Sequence, residues 1–263
     1  MVQYTRNILK VLKQCTDEDI AHGMTWYAGN DSTDHYIDLG AGDDEIYTTI
    51  DANELNFSKL DGGPGRDTIK FSGSNSITLT LTTAGATNFE NIQGGGGDDT
   101  INGDDNANTL TGSNGADIIF GHGGNDILGG QSASVADGDY DEDILNGGPG
   151  NDIIYGTAGA NMIDGGPGQD NMSGGNGNDT FIIRIGDGGS ELKDADIIID
   201  FQDQKDVFGL SDGLNFDELS VSQGIGSNSS HTIIRHTSSG EYLTIVKDIS
   251  ASNLNILDFS SIE

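Results

Sequence analysis

The sequence predicts an all-β chain wound as a parallel solenoid, and two observations carry that prediction. A nine-residue pattern, G-G-x-G-x-D-x-U-x with U apolar, recurs almost without a break from Gly94 to Ile182. One apolar residue per unit also keeps its place: Ile101, Leu110, Ile119, Leu128, Leu145, Ile154, Ile163, Met172 and Phe181. Their spacing is 9 throughout, except for 17 between Leu128 and Leu145 (145 − 128). A fixed period of this kind marks a repeat architecture, in which each unit buries its apolar face only against its neighbours.

Each unit reads as a six-residue turn followed by a three-residue strand. Clean copies are Gly147-Gly-Pro-Gly-Asn-Asp152-Ile-Ile-Tyr155, Gly165-Gly-Pro-Gly-Gln-Asp170-Asn-Met-Ser173 and Gly174-Gly-Asn-Gly-Asn-Asp179-Thr-Phe-Ile182. In the strand, the eighth residue faces opposite to the seventh and ninth, so it points inward. Glycine in the turn permits close backbone approach, which lets several carbonyls face one point. The aspartate adds a carboxylate. A flexible set of hard oxygen donors suits Ca²⁺, which takes ~6–8 of them.

Two units make one full coil, so turns 18 residues apart lie on the same side. One side then carries Asp99, Asp117, Asp143, Asn161 and Asp179, and the other Asn108, Asp126, Asp152 and Asp170. Four neighbouring pairs have aspartate in both turns: Asp99–Asp117, Asp117–Asp143, Asp126–Asp152 and Asp152–Asp170. Asn108 and Asn161 keep an oxygen but lose the charge, so their sites should be weaker. Asp179 should take part in one site only. Carbonyl donors are expected at the second and fourth turn positions, at Gly95, Gly97, Gly115, Gly124, Gly148, Gly150, Gly166, Gly168, Gly175 and Gly177. Upstream, Leu39-Gly-Ala-Gly-Asp-Asp44-Glu-Ile46 and Gly62-Gly-Pro-Gly-Arg-Asp67-Thr-Ile69 add Asp44 and Asp67. The 8 extra residues before Leu145 read as a loop near Gln131–Asp137 that leaves the stack intact.

The repeat block resembles the RTX (repeats-in-toxin) family of hemolysin-type calcium-binding nonapeptide repeats. That resemblance implies a parallel β-roll with several bound Ca²⁺ ions. It also implies export by a type I secretion machinery directed by an uncleaved C-terminal signal, hence a secreted, extracellular protein that folds once it meets calcium outside the cell. The stretch Asp196-Ile-Ile-Ile-Asp200-Phe-Gln-Asp-Gln-Lys-Asp206-Val-Phe-Gly-Leu210 is similar to the cap that follows such repeats, with Asp200, Phe201 and Asp206 on the family pattern.

Composition points the same way. The net charge is −32 and only 33% of residues are hydrophobic. Few apolar residues and high charge together describe a chain that does not fold unaided. A cation that neutralises and cross-links the turns resolves that conflict, because its binding energy becomes folding energy. Nucleic acid is excluded as a partner, since it needs a basic footprint. No apolar run is long enough for a transmembrane helix, and the N-terminus has no signal-peptide core. The single cysteine, Cys15, excludes an intrachain disulfide framework.

The expected division is an N-terminal helix or cap over 1–28, divergent repeats and strands over 29–93, the repeat block over 94–182, and a C-terminal β cap with a secretion signal over 183–263. Ile8, Leu9, Val11 and Leu12, with Arg6, Lys10 and Lys13, carry the helix expectation. Ser76–Thr82 alternates as a strand. His231–His236 and Glu241–Val246 read as a β-hairpin. Asn253–Glu263 reads as an extra strand or as the export signal. No zinc motif H-E-x-x-H and no nucleophile elbow G-x-S-x-G occurs, and the five histidines lack ligand spacing, so no enzyme is expected. The alternatives to a structural calcium module are an extracellular interaction module for carbohydrate, cell surface or protein, and a non-catalytic part of a larger secreted enzyme or toxin. The outward seventh positions Ile118, Ile127, Ile144, Ile153 and Met162 form apolar strips relevant to that choice.

Overall fold

A computed structural model describes residues 25–28, 37–48, 60–81, 86–129 and 141–262. Within them the protein is an all-β parallel β-roll, with 3₁₀ turns as its only helical segments. The expected N-terminal helix and the inserted loop lie outside the described residues.

Nonapeptide strands alternate between two sheets. The first stacks Thr25–Ala28, Glu45–Thr48, Thr68–Phe71, Asn91–Gln93, Thr109–Thr111, Ile127–Gly129, Ile153–Tyr155, Asn171–Ser173 and Asp196–Ile198 in parallel. The second stacks Thr78–Thr80, Thr100–Asn102, Ile118–Phe120, Ile144–Asn146, Met162–Asp164, Thr180–Ile183, Val207–Leu210 and Phe259–Ser261. Three two-residue strands, Ile37–Asp38, Leu60–Asp61 and Ala86–Thr87, make a small third sheet. Thr25–Ala28 falls inside the segment assigned to an N-terminal cap, and it is a strand of the first sheet paired with Glu45–Thr48.

Register follows the sequence period. Ile119 pairs with Ile101 and Leu145 in the second sheet, and Leu128 with Leu110 and Ile154 in the first. The pairing of Ile118 with Ile144 shows that the 8 extra residues do not shift the stack. Every eighth-position residue from Ile101 to Phe181 is fully buried between the sheets. A one-residue slip would turn all of them outward, which fixes the register.

The C-terminal end closes the core. Tyr242–Val246 adds parallel to Asp196–Ile198, then pairs with Thr232–His236, the hairpin read from the sequence. Leu219–Gln223 extends it antiparallel. On the other sheet Phe259–Ser261 pairs with Val207–Leu210. Phe201 stacks on Phe208 (centroids 4.5 Å) and Phe208 on Phe259 (4.8 Å), while Phe181 lies 6.1 Å from Phe201. These rings plug the open end that a solenoid otherwise leaves. Asp200 accepts from Ser173 Oγ and from the N–H groups of Gly174 and Gly175, tying the cap to the last repeat turns.

The outward strips are in register: Ile118, Ile144 and Met162 on the second sheet, and Ile127 beside Ile153 on the first. Ile127, Ile144 and Met162 are 42%, 40% and 41% exposed, so the C-terminal segment extends the sheets without covering these faces.

Leu145 and Ile144 are neighbours on opposite faces. Leu145→Ala is expected to lower stability by about 2–5 kcal/mol, the usual range for a fully buried aliphatic side chain. Ile144→Ala should lose less than half as much. Denaturant titration of the calcium-loaded protein measures both, and equal losses would contradict the register.

Candidate metal site

The sixth-position side chains form two ladders, one along each edge of the roll. On the first-sheet edge, the N–H of Asn108 donates to Asp126 Oδ1 (2.7 Å), Asp126 to Asp152 (2.7 Å), Asp152 to Asp170 (2.7 Å) and Asp170 to Asp196 (3.0 Å). On the second-sheet edge the chain of donors runs Asp99 to Asp117, Asp117 to Asp143, Asp143 to Asn161, Asn161 to Asp179 and Asp179 to Asp206, at 2.8–3.0 Å. Both sides have the membership that the 18-residue coil requires. Upstream, Asp44 donates to Asp67 Oδ1 (2.8 Å) and Asp67 to Glu90 Oε2 (2.7 Å) on the first-sheet edge.

The ladders run further than the repeat count implied. Asp179 is not terminal, because Asp206 follows it. Asp196 extends the other edge past Asp170, and Glu90 fills a sixth position upstream. Asp196 and Asp206 were hidden by spacing, since Asp196 lies 26 residues after Asp170 and Asp206 27 after Asp179; Glu90 keeps the 18-residue spacing to Asn108 but stands in a turn without the glycine pattern. A local signal was present, since Asp196-Ile-Ile198 and Asp206-Val-Phe208 each carry an aspartate two residues before a fully buried apolar residue.

The second oxygen of each carboxylate is where the geometry becomes chemical. Oδ2 of Asp67, Asp126, Asp152, Asp170 and Asp179 is buried and accepts no hydrogen bond. A buried charged oxygen without a partner is costly and calls for an explanation. These oxygens crowd the first glycine of the turn. A methyl group on Gly147 would lie 2.2 Å from Asp152 Oδ2 and 2.7 Å from the Gly165 carbonyl oxygen. At Gly121 the same atoms are Asp126 Oδ2 at 2.4 Å and the Gly147 carbonyl at 2.5 Å. The second and fourth glycines meet carbonyls from the preceding turn: a methyl group on Gly166 would lie 2.6 Å from the Gly148 oxygen, and one on Gly168 would overlap the Gly150 oxygen. A side chain at these four glycines would collide with an oxygen atom.

The donor set fits a calcium ion. It is all oxygen, mostly backbone carbonyl, with one carboxylate per turn, and it lies between stacked loops. Among the described residues no three His, Cys, Asp or Glu side chains converge, so carbonyls would supply most of the ligands. The glycines singled out at the second and fourth positions stand in these turns, and the carbonyl oxygens of Gly97, Gly124, Gly148 and Gly150 each lie within 3 Å of the place a methyl group would take on the glycine of the following turn. Asn161 departs from the pattern. Its Oδ1 accepts from Asp143, and its amide nitrogen lies against Gly156 where an aspartate places Oδ2. Asn108 keeps its oxygen at that place, where it accepts from Asp104 N–H (2.7 Å). His122 holds a second turn position in the left-handed region, at φ +71°.

Burial raises the carboxyl pKa values: Asp126 and Asp170 to about 7, and Asp67, Asp152 and Asp179 to about 6. Asp196 is pushed well above the ordinary range, by burial and by the Asp170 charge beside it. A carboxyl whose folded pKa lies above its unfolded value of about 3.8 stabilises the fold at pH below 3.8, and that contribution disappears as pH rises through 6–7. In calcium-free buffer the roll should therefore gain stability between about pH 7.5 and pH 5. With calcium the trend should reverse, because the ligands must lose their protons to bind. The far-UV circular dichroism of the calcium-free chain across that range, and urea midpoints of the calcium-loaded protein, test the sign. A calcium-free β signal that falls on acidification would refute it.

The family model for the RTX calcium-binding nonapeptide repeat matches in overlapping copies over residues 85–113, 93–128, 127–154, 137–171 and 146–181. No curated protein matches the chain. Among solved structures, the solution structure of the AlgE6R3 subunit from the Azotobacter vinelandii mannuronan C5-epimerase is similar at 21% identity, over 69% of this chain and 82% of that one, with a TM-score of 0.28. At that score the likeness carries no argument, and the fold rests on the geometry above. The repeats, their register and the two aspartate ladders agree with the family match: residues 85–181 of this chain belong to the RTX calcium-binding nonapeptide repeat family.

Proposed function

We propose that the protein is a secreted calcium-binding β-roll module whose folding is gated by Ca²⁺ outside the cell, with a structural and secretion role and no catalysis. The observation that carries this reading is the ladder of buried carboxylate oxygens without hydrogen-bond donors. Such oxygens are tolerable only when a cation or a proton satisfies them. At neutral pH and low calcium the folded roll is penalised by its own carboxylates, and the chain's charge of −32 adds to that repulsion. Calcium removes both penalties together. Export through a type I secretion machinery, by a signal in the C-terminal segment, follows from the RTX resemblance. No helix among the described residues is long and apolar enough to cross a membrane.

Far-UV circular dichroism with millimolar Ca²⁺ and with chelator tests the gating. The β spectrum is expected only with calcium, and a fully β-structured spectrum in chelator overturns the proposal.

A second reading, an extracellular module that binds another protein, draws on the half-exposed strips at Ile118, Ile144 and Met162 and at Ile127 and Ile153. It expects the double variant Ile118→Thr/Ile144→Thr to change the calcium-loaded melting temperature or the light-scattering mass. A variant identical to the parent in both makes the strip a by-product of β-branched strand preference.

A further inference from the structure

The chain has three prolines, Pro64, Pro149 and Pro167. Each is third in a Gly-Gly-Pro-Gly turn, and each turn leads into a strand of the first sheet: Thr68–Phe71, Ile153–Tyr155 and Asn171–Ser173. Turns leading into the second sheet have Gly96, Asn114, Ala158 and Asn176 at that position. The repeat pattern leaves position three open, so the consensus does not explain this segregation.

The prolines change the hydrogen bonding. In four turns without proline, the position-three N–H donates to the second-position carbonyl of the turn before. Gly96 donates to the Gly73 oxygen (2.8 Å), Asn114 to Gly95 (3.1 Å), Asn176 to Thr157 (2.9 Å) and Gly123 to Asp104 (3.1 Å). Pro149 and Pro167 have no N–H to give. The carbonyls they face belong to His122 and Gly148, whose oxygens lie 2.0 Å and 2.6 Å from where a methyl group would stand on Gly148 and Gly166. Those oxygens therefore point between the turns, with no N–H offered from position three.

The same two inter-turn spaces have aspartate on both sides, Asp126 with Asp152 and Asp152 with Asp170. On the other edge, the space between turns 156–161 and 174–179 has an uncharged Asn161, and its Thr157 carbonyl is already bonded to Asn176. A carbonyl that accepts a backbone N–H is the poorer cation ligand. One lone pair is engaged, and the donor's positive end stands beside it.

We infer that the two edges of the roll form unequal calcium classes, a tight one on the first-sheet edge across turns 121–126, 147–152 and 165–170, and a weaker one on the second-sheet edge, with Pro149 and Pro167 as affinity determinants. The inference rests on the calcium-binding reading above. It makes the calcium response a two-step one: the first-sheet edge orders at lower calcium, and the second-sheet edge completes the roll at higher calcium.

Isothermal titration of the full chain with CaCl₂ in calcium-stripped buffer is the test. Two affinity classes are expected. Pro149→Ala/Pro167→Ala restores both N–H groups and should weaken the tight class by roughly three- to tenfold, the equivalent of a typical competing hydrogen bond, leaving the weak class in place. Proline removal also loosens the unfolded chain, but that effect would shift both classes together, and such a parallel shift counts against the inference. Asn176→Pro is the reciprocal variant and should tighten the weak class, which decides the matter if the double variant does not fold. A single class of sites indifferent to these substitutions overturns the inference and leaves the calcium module intact. Absence of calcium binding in the parent overturns both.

Discussion

The rest of the structure depends on the bond between the backbone N–H of one sixth-position residue and the carboxylate of the next residue on the same edge. It repeats from Asn108 to Asp196 on one edge and from Asp99 to Asp206 on the other. Each such bond satisfies one buried donor and fixes the vertical spacing of two turns. It also brings a negative charge into the interior with its other oxygen turned toward a glycine. At Asp126, Asp152, Asp170 and Asp179, whose Oδ2 has no donor, the ladder thus stabilises the roll through Oδ1 and destabilises it through Oδ2, and the balance depends on what meets Oδ2.

That tension accounts for the glycine pattern better than turn preference does. Where the sixth residue is aspartate, the first glycine lies against its Oδ2, and the second and fourth glycines lie against peptide groups of the turn below. At most of these places the nearest obstacle to a side chain is an oxygen atom. Positive φ is secondary, since His122, Ser113 and Thr157 adopt it at second positions while carrying side chains. Space around the oxygens is the property that the repeat preserves.

Most of the roll was legible because its period is short and its signals are local. The inward residues, the two-sided grouping of aspartates and the 8-residue insertion all follow from counting in nines, and the paired strands agree with that count. Counting fails where the turn changes length. Asp196 and Asp206 follow turns of irregular length, so their place in the ladders depends on three-dimensional register. Glu90 substitutes a longer carboxylate in a turn with no glycine pattern. The antiparallel strand Leu219–Gln223 was missed for another reason. Its residues are at most half-buried, so it has little of the apolar alternation that marks a strand.

The cap shows how the fold changes its means of support at the point where the repeats stop. Inside the roll, each coil gains only two inward aliphatic side chains, and adjacent turns are joined through carboxylates. Past Phe181 the core becomes a stack of phenylalanines, Phe201, Phe208 and Phe259, and strands of four and five residues appear. Basic side chains also take part: Arg184 reaches Asp164, Asp187 and Asp212, three carboxylates around one guanidinium. A guanidinium is a cation that the chain carries with it. The junction to the cap therefore has covalently attached counter-charge and an aromatic core, whereas residues 94–182 contain no lysine or arginine. On the proposed reading, dependence on an external cation falls mainly on the turns where nine-residue periodicity leaves no room for a larger core, and the cap supplies a template against which the last repeat turn can be ordered.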